Sequence, residues 1–248
     1  MSLKRELCYH PRGSERIQGV RTIVKVLVTG PHLSGKSALI QGLAKGNVIN
    51  IQANGTTVGL DHGVAEAFKI PIRLFGTPGL ARFKVLRRII SEGADGILFV
   101  VDASNPEGDG EARYIWTEIS DLLPNVPCIV AANKQDLTDS RTPERIRHDL
   151  SFMVGVPVIP ISCKTDYNLE KLLPAMVMLI TYEWSPILRA FGATGETSFA
   201  DLAKSLRISE TKVRGYLRWF ELRKMVFADW EKKTAHVAPG IAKILAQR

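Results

Sequence analysis

The most constraining stretch of this chain is Gly30-Pro31-His32-Leu33-Ser34-Gly35-Lys36-Ser37, a complete G-x-x-x-x-G-K-S. An apolar run at residues 23–28 precedes it, and residues 37–44 behind it carry a helical pattern. Strand, glycine-rich turn and helix, in that order, are the setting this motif requires. The glycines let backbone N–H groups turn inward around phosphate oxygens, and the helix N-terminus adds partial positive charge. In such a loop Lys36 reaches the outer phosphates and the Ser37 hydroxyl ligates Mg²⁺. Gly30, His32, Leu33, Ser34, Gly35 and Ala38 complete the cradle. The competing reading, a chance glycine-rich turn, leaves the flanking strand and helix unexplained.

Residues 63–68, 70–75, 97–101, 128–132 and 156–161 read as further strands, with helical patterns at 111–122 and 169–182. Strands alternating with helices predict an α/β fold: a mostly parallel sheet with helices on both faces. With 248 residues, 45% of them hydrophobic, the chain can bury a core without disulfide or metal staples. Cys8, Cys128 and Cys163 are far apart and match no zinc or disulfide framework, so a reducing interior is expected. No apolar run nears the roughly eighteen residues of a membrane span. The polar, basic residues 1–16 lack a signal-peptide core, and Ser2 stands where N-myristoylation needs glycine. A cytoplasmic protein with no stable membrane insertion is expected.

Asn133-Lys134-Gln135-Asp136 directly follows the strand at 128–132. Together with the P-loop about a hundred residues earlier, it resembles the guanine-reading N-K-x-D of the Ras-like superfamily. That resemblance implies GTP and GDP as ligands. Asp136 would accept hydrogen bonds from guanine N1 and N2, Asn133 would support the loop, and Lys134 would lie along the ring. Ser162-Cys163-Lys164 resembles the family's S-A-K element, in which the middle N–H meets guanine O6. Cysteine in place of alanine changes only the side chain. A catalytic cysteine is the competing reading, and no base is visible near it.

The resemblance spans roughly residues 21–184. Residues 54–61 look like the switch I of Arf-like GTPases and of the signal-recognition-particle receptor β subunit. The family's T-x-G falls on Thr57-Val58-Gly59, which implies that Thr57 closes on Mg²⁺ and the γ-phosphate; Thr56 is the competing assignment. Switch II, D-x-x-G-Q in the family, reads Gly76-Thr77-Pro78-Gly79-Leu80, followed by Ala81-Arg82-Phe83. Gly79 keeps its N–H for the γ-phosphate. Gly76 removes a carboxylate from the metal's surroundings, leaving Ser37, Thr57 and the phosphates. Leu80 cannot orient a water as glutamine does, so slow hydrolysis is expected where catalysis is positioning and electrostatics. The run L-F-G-T-P-G resembles prokaryotic small GTPases near the receptor β subunit and the MglA polarity proteins, which implies roadblock-type regulators.

After Ser185-Pro186 the pattern changes. Ser198 and Asp201 make a capping-box-like start, with Phe199, Leu202, Ala203 and Leu206 on one helical face. Ser209 can cap a second helix carrying Val213, Tyr216, Leu217 and Phe220 at the same spacing. Residues 225–238 read as a hairpin, and 186–191 as a preceding helix. The expected organisation is a polar extension at 1–20, a G domain at 21–184 and a winged helix-turn-helix domain at 185–248. From Pro186 onward, twelve Lys or Arg face six Asp or Glu, carrying most of the chain's net +8. Lys212, Arg214 and Arg218 could enter a DNA major groove, with wing lysines on phosphate. Protein contact through Trp219 and Trp230, or docking on the G domain, are the alternatives. Three functions therefore compete: a slow GTPase switch, a GTP-sensing DNA regulator, and a nucleotide-binding scaffold with negligible hydrolysis.

Overall fold

The computed structural model describes residues 24–46, 48–51, 60–78, 84–191 and 195–246. In β1 (Val24–Thr29), Val24, Val26, Leu27 and Val28 are fully buried, because the strand lies mid-sheet. It pairs in parallel with β4 (Ile70–Gly76) on one side and β5 (Gly96–Asp102) on the other. β6 (Cys128–Asn133) and β7 (Val158–Pro160) extend the parallel order beyond β5. At the opposite edge β3 (Leu60–Ala67) runs antiparallel to β4, and β2 (Val48–Ile51) antiparallel to β3. The order is β2-β3-β4-β1-β5-β6-β7. β5 and β6 are buried on both faces, which explains their continuous apolar runs.

Alternate residues of β1 enter different layers. Val26 and Val28 join Leu39 and Ile40 of α1 (Lys36–Ala44) and Leu172, Met176 and Ile180 of α5 (Leu169–Glu183). Leu27 points the other way, to a layer with Ile90 of α2 (Lys84–Ser91), Ile115 and Ile119 of α3 (Asp109–Leu122) and Ile146 of α4 (Pro143–Asp149). The mostly parallel sheet with helices on both faces is as expected. Elements β2, α2 and α4 have no counterpart in the sequence reading, and β7 is shorter than the run at 156–161. Among the described residues no helix is long and apolar enough to cross a membrane.

Residues 185–246 form α6 (Ser185–Arg189), α7 (Phe199–Leu206), α8 (Glu210–Leu222) and α9 (Pro239–Ala246), with a small antiparallel sheet. In that sheet β10 (Thr234–Val237) lies between β8 (Thr197–Ser198) and β9 (Val226–Asp229). Both anticipated caps form: Ser198 Oγ accepts from the Asp201 N–H at 3.1 Å, and Ser209 Oγ from the Lys212 N–H at 3.3 Å. Strand β8 and helix α9 are additions to the sequence reading.

This region is fastened to the sheet. Trp184, at the end of α5, packs on Tyr216, Trp219 and Phe220 of α8, and its core is continuous with the α1–α5 layer. Arg223 and Asp95 form a buried ion pair at 2.7 Å, and Asp95 also accepts from the Lys25 N–H at 2.9 Å. A Cβ on Gly240 would stand 1.9 Å from Phe68 O, so α9 rests directly on the turn between β3 and β4. Lys25, Asp95 and that turn lie at the N-terminal ends of the parallel strands, away from the P-loop.

Candidate nucleotide-binding site

At the C-terminal end of β1 the chain turns through residues 30–35 into α1. Gly30 (φ 138°) and Gly35 (φ 97°) adopt backbone that L side chains rarely reach. A Cβ on Gly30 would lie 2.1 Å from Val100 O, and one on Gly35 2.1 Å from Asn133 Nδ2. Neither position has room for another residue. His32, Leu33, Ser37 and Ala38 are exposed at the lip, whereas Ser34 is fully buried. The Ser34 hydroxyl has no hydrogen-bond partner there. α1 opens at Lys36 with no acidic residue in its first turn, so its N-terminal partial charge is uncompensated. Lys36 Nζ donates to Pro31 O, and burial lowers the ammonium pKa to about 8, against the pull of Glu111 and Asp61.

Asn133 joins this loop to the other motifs. Its Nδ2 donates to Ser34 O at 2.9 Å, and its Oδ1 accepts from the Cys163 N–H at 3.0 Å. Ser162 Oγ donates to Asp136 Oδ1 at 2.6 Å, which holds the Asp136 carboxyl below its usual range. The same Oγ accepts from the Lys164 N–H at 3.2 Å, and Lys164 Nζ lies 3.8 Å from Asp136 Oδ2. Lys134 is tied to Asp102 at 2.5 Å. The P-loop, 133–136 and 162–164 thus meet at one rim. The Cys163 N–H, expected at a purine O6, is engaged by Asn133 Oδ1. Burial pushes the Cys163 thiol up to about 12, so it offers no thiolate nucleophile.

Where β4 ends, the Thr77 N–H donates to Val28 O at 2.9 Å and its hydroxyl to Thr29 Oγ1 at 2.8 Å. Arg87 on α2 is fully buried; it pairs with Glu118 at 2.7 Å and donates to Pro78 O at 3.2 Å. Glu111 Oε2 accepts from the His32 N–H at 3.0 Å. Sequence reasoning misses Arg87, Asp102, Glu111 and Glu118. Asp102 had a signal, as a charge closing an apolar run; the others have none that is local. Thr56, Thr57, Gly79 and Leu80 lie outside the described residues.

A family model, that of the Ras family, matches residues 25–182. Ras-related protein RabZ of Dictyostelium discoideum is 25% identical over 173 residues, covering 66% of this chain and 74% of that protein. Mutual gliding-motility protein MglA of Myxococcus xanthus is 25% identical over 178 residues, covering 64% of this chain and 91% of that protein. Among solved structures, the G domain of the T. maritima FeoB iron transporter aligns with a TM-score of 0.50 at 25% identity. That alignment covers 62% of this chain and 97% of the transporter's domain. Residues 183–248 lie beyond the family match.

Proposed function

The chain belongs to the Ras family of small GTPases, and from that premise we propose a molecular switch that hydrolyses GTP slowly and carries a docked C-terminal module. The observation that carries the reading is the Asn133 side chain, which clasps Ser34 O and the Cys163 N–H together. It makes a phosphate cradle and a base-reading carboxylate into one site. A polyanion fits this rim: the glycine cradle is closed to any Cβ, and the buried Ser34 hydroxyl lacks a partner. Lys36 meets the outer phosphates, Gly79 gives its N–H to the γ-phosphate, and Asp136 reads guanine. Ser37 and Thr57 would hold Mg²⁺, which would supply charge neutralisation at the phosphates.

Position 80 carries leucine, so intrinsic turnover should be on the order of 10⁻⁴ s⁻¹ or lower. Two measurements test this reading. Purified protein should release GDP or GTP on denaturation, and Leu80→Gln should raise the single-turnover rate. Co-purified adenine nucleotide, or fast hydrolysis by the parent, would contradict it. A roadblock-type regulator is proposed by analogy with the MglA group.

We assign residues 185–248 to a winged helix-turn-helix domain beside a G domain at 21–184, after an extension at 1–20. Its use is proposed to be docking on the G domain rather than DNA reading, since Trp219 packs on Trp184 and Trp230 on Phe199. Arg214 is bonded to Glu210 at 2.8 Å and lies over Phe199, and Arg218 lies over Trp230. Two of the three candidate groove-reading cations are thus engaged within the module. A gel-shift on random duplex DNA, with and without GTP, should show no sequence-selective complex.

A further inference from the structure

Gly76 removes a carboxylate from the place where the D-x-x-G motif keeps one, yet another stands across the ladder. β3 and β4 pair with His62 opposite Phe75 and Gly63 opposite Leu74, so the next rung sets Asp61 opposite Gly76. Opposed residues of an antiparallel pair project to the same face. Here that face is the one α1 covers: a Cβ on Gly76 would stand 2.9 Å from Ile40 Cδ1 and 3.1 Å from Asp61 Cβ. A side chain at 76 would press on Ile40 and on Asp61, so positions 61 and 76 share one space. Gly76 is the last residue of β4 and pairs with Val28, just before the P-loop, so Asp61 lies at that same end of the sheet.

We propose that Asp61 supplies the outer carboxylate of the Mg²⁺ site, holding the metal's water shell from β3 in place of residue 76. The inference rests on the nucleotide-switch reading above. Mg²⁺ gives up water reluctantly and is held through one or two carboxylates together with substrate phosphates. One carboxylate at the outer shell is what this site lacks at 76 and has at 61. The consequence is a rearranged division of labour. The carboxylate then comes from β3, and the start of switch II is relieved of the metal. Asp61 is a positioning residue: it acts on the metal's waters and not on the reacting phosphorus.

The test is release of a fluorescent GDP analogue from the full-length chain as free Mg²⁺ is titrated. In Asp61→Asn, the Mg²⁺ concentration giving half-maximal slowing should rise by about tenfold or more, as loss of an outer-shell partner does. In EDTA the same variant should bind GDP as tightly as the parent or tighter, since a negative charge near Lys36 is gone; this also reports that it is folded. Moving the carboxylate back, with Asp61→Gly and Gly76→Asp together, should return the midpoint to within about threefold of the parent. A midpoint unmoved in Asp61→Asn overturns the proposal, as does weaker GDP binding in EDTA, or a swap that restores nothing. A parent that holds GDP but releases it regardless of Mg²⁺ overturns this proposal alone. A parent that does not hold GDP overturns the nucleotide reading first.

Discussion

At one end of the parallel sheet, Lys36, Lys134 and Lys164 hold partners they can exchange. Lys164 is 80% exposed at 3.8 Å from Asp136, and Lys134 is 34% exposed where it meets Asp102. At the other end Arg223 is sealed: its side chain is 8% exposed and that of Asp95 4%, the guanidinium lies 3.8 Å from the centre of the Trp219 ring, and Asp95 also accepts from the Lys25 N–H. Both ends put cations beside carboxylates. Only the first leaves an anion somewhere to bind. Charge that is buried and fully paired fixes architecture; charge that is half-hydrated and loosely paired is available for recognition. The comparison predicts that the two ends fail differently when altered.

The largest effect belongs to the sealed end. Arg223→Met should cost about 3–5 kcal/mol of stability, because the Asp95 charge stays buried without its partner. Adding Asp95→Asn should recover most of that loss, since no charge is stranded and the amide oxygen still accepts from the Lys25 N–H. Denaturant melts measure both. Guanine-nucleotide affinity of the folded fraction should hardly change; a large change there would break the separation of the two ends.

At the open end the expectations reverse. Lys36→Ala should weaken GTP binding by on the order of a hundredfold, the loss of a charge-assisted contact to phosphate, while leaving the melting profile close to that of the parent. Calorimetric titration beside a thermal melt gives both numbers. If the melt collapses instead, Lys36 belongs to the architecture and the comparison is wrong.

How much of this was legible follows the same division. The proposed phosphate rim is written in contiguous residues, 30–37 and 133–136, because a glycine turn and a polar loop after a strand are local devices. The sealed end is not local: Asp95 and Arg223 are 128 positions apart, and neither has a neighbour that announces the other. Arg87 and Glu118 fail to show for the same reason, at 31 positions. β2 covers only four residues at the sheet edge, too few for a periodicity. Helix α9 did carry a signal, Pro239 at its start with Ile241 and Ile244 three apart, and its docking on the β3–β4 turn was beyond any pattern. Gly76 and Leu80 were visible as departures, whereas the position of Asp61 across from Gly76 needed the strand register.

A smaller effect sharpens the open end. Burial depresses the Lys36 pKa from 10.5 to about 8, so below pH 8 the folded chain holds a charged ammonium at a cost that fades as pH rises toward 10.5. Phosphates favour the charged form, so nucleotide binding between those values should take up a proton. Affinity should fall by at most about tenfold per pH unit there, and be nearly flat near pH 6.5. Binding enthalpies in buffers of different ionisation heat, at pH 9 and pH 6.5, read the proton directly. No uptake at pH 9 would mean that Lys36 is not the group that meets the phosphates.

The most direct test of the central claim is nucleotide preference in the parent and in Asp136→Asn. Asp136, oriented by the Ser162 hydroxyl, should accept from the two guanine donors, so the parent should prefer GDP over both ADP and XDP by about a hundredfold or more. Xanthine presents an oxygen where guanine presents an amino group, and an asparagine amide can donate to it. The variant should therefore lose GDP and gain XDP. Equal affinity of the parent for GDP and ADP, or a variant that keeps its preference for GDP, would contradict the assignment of this rim as a guanine-nucleotide site.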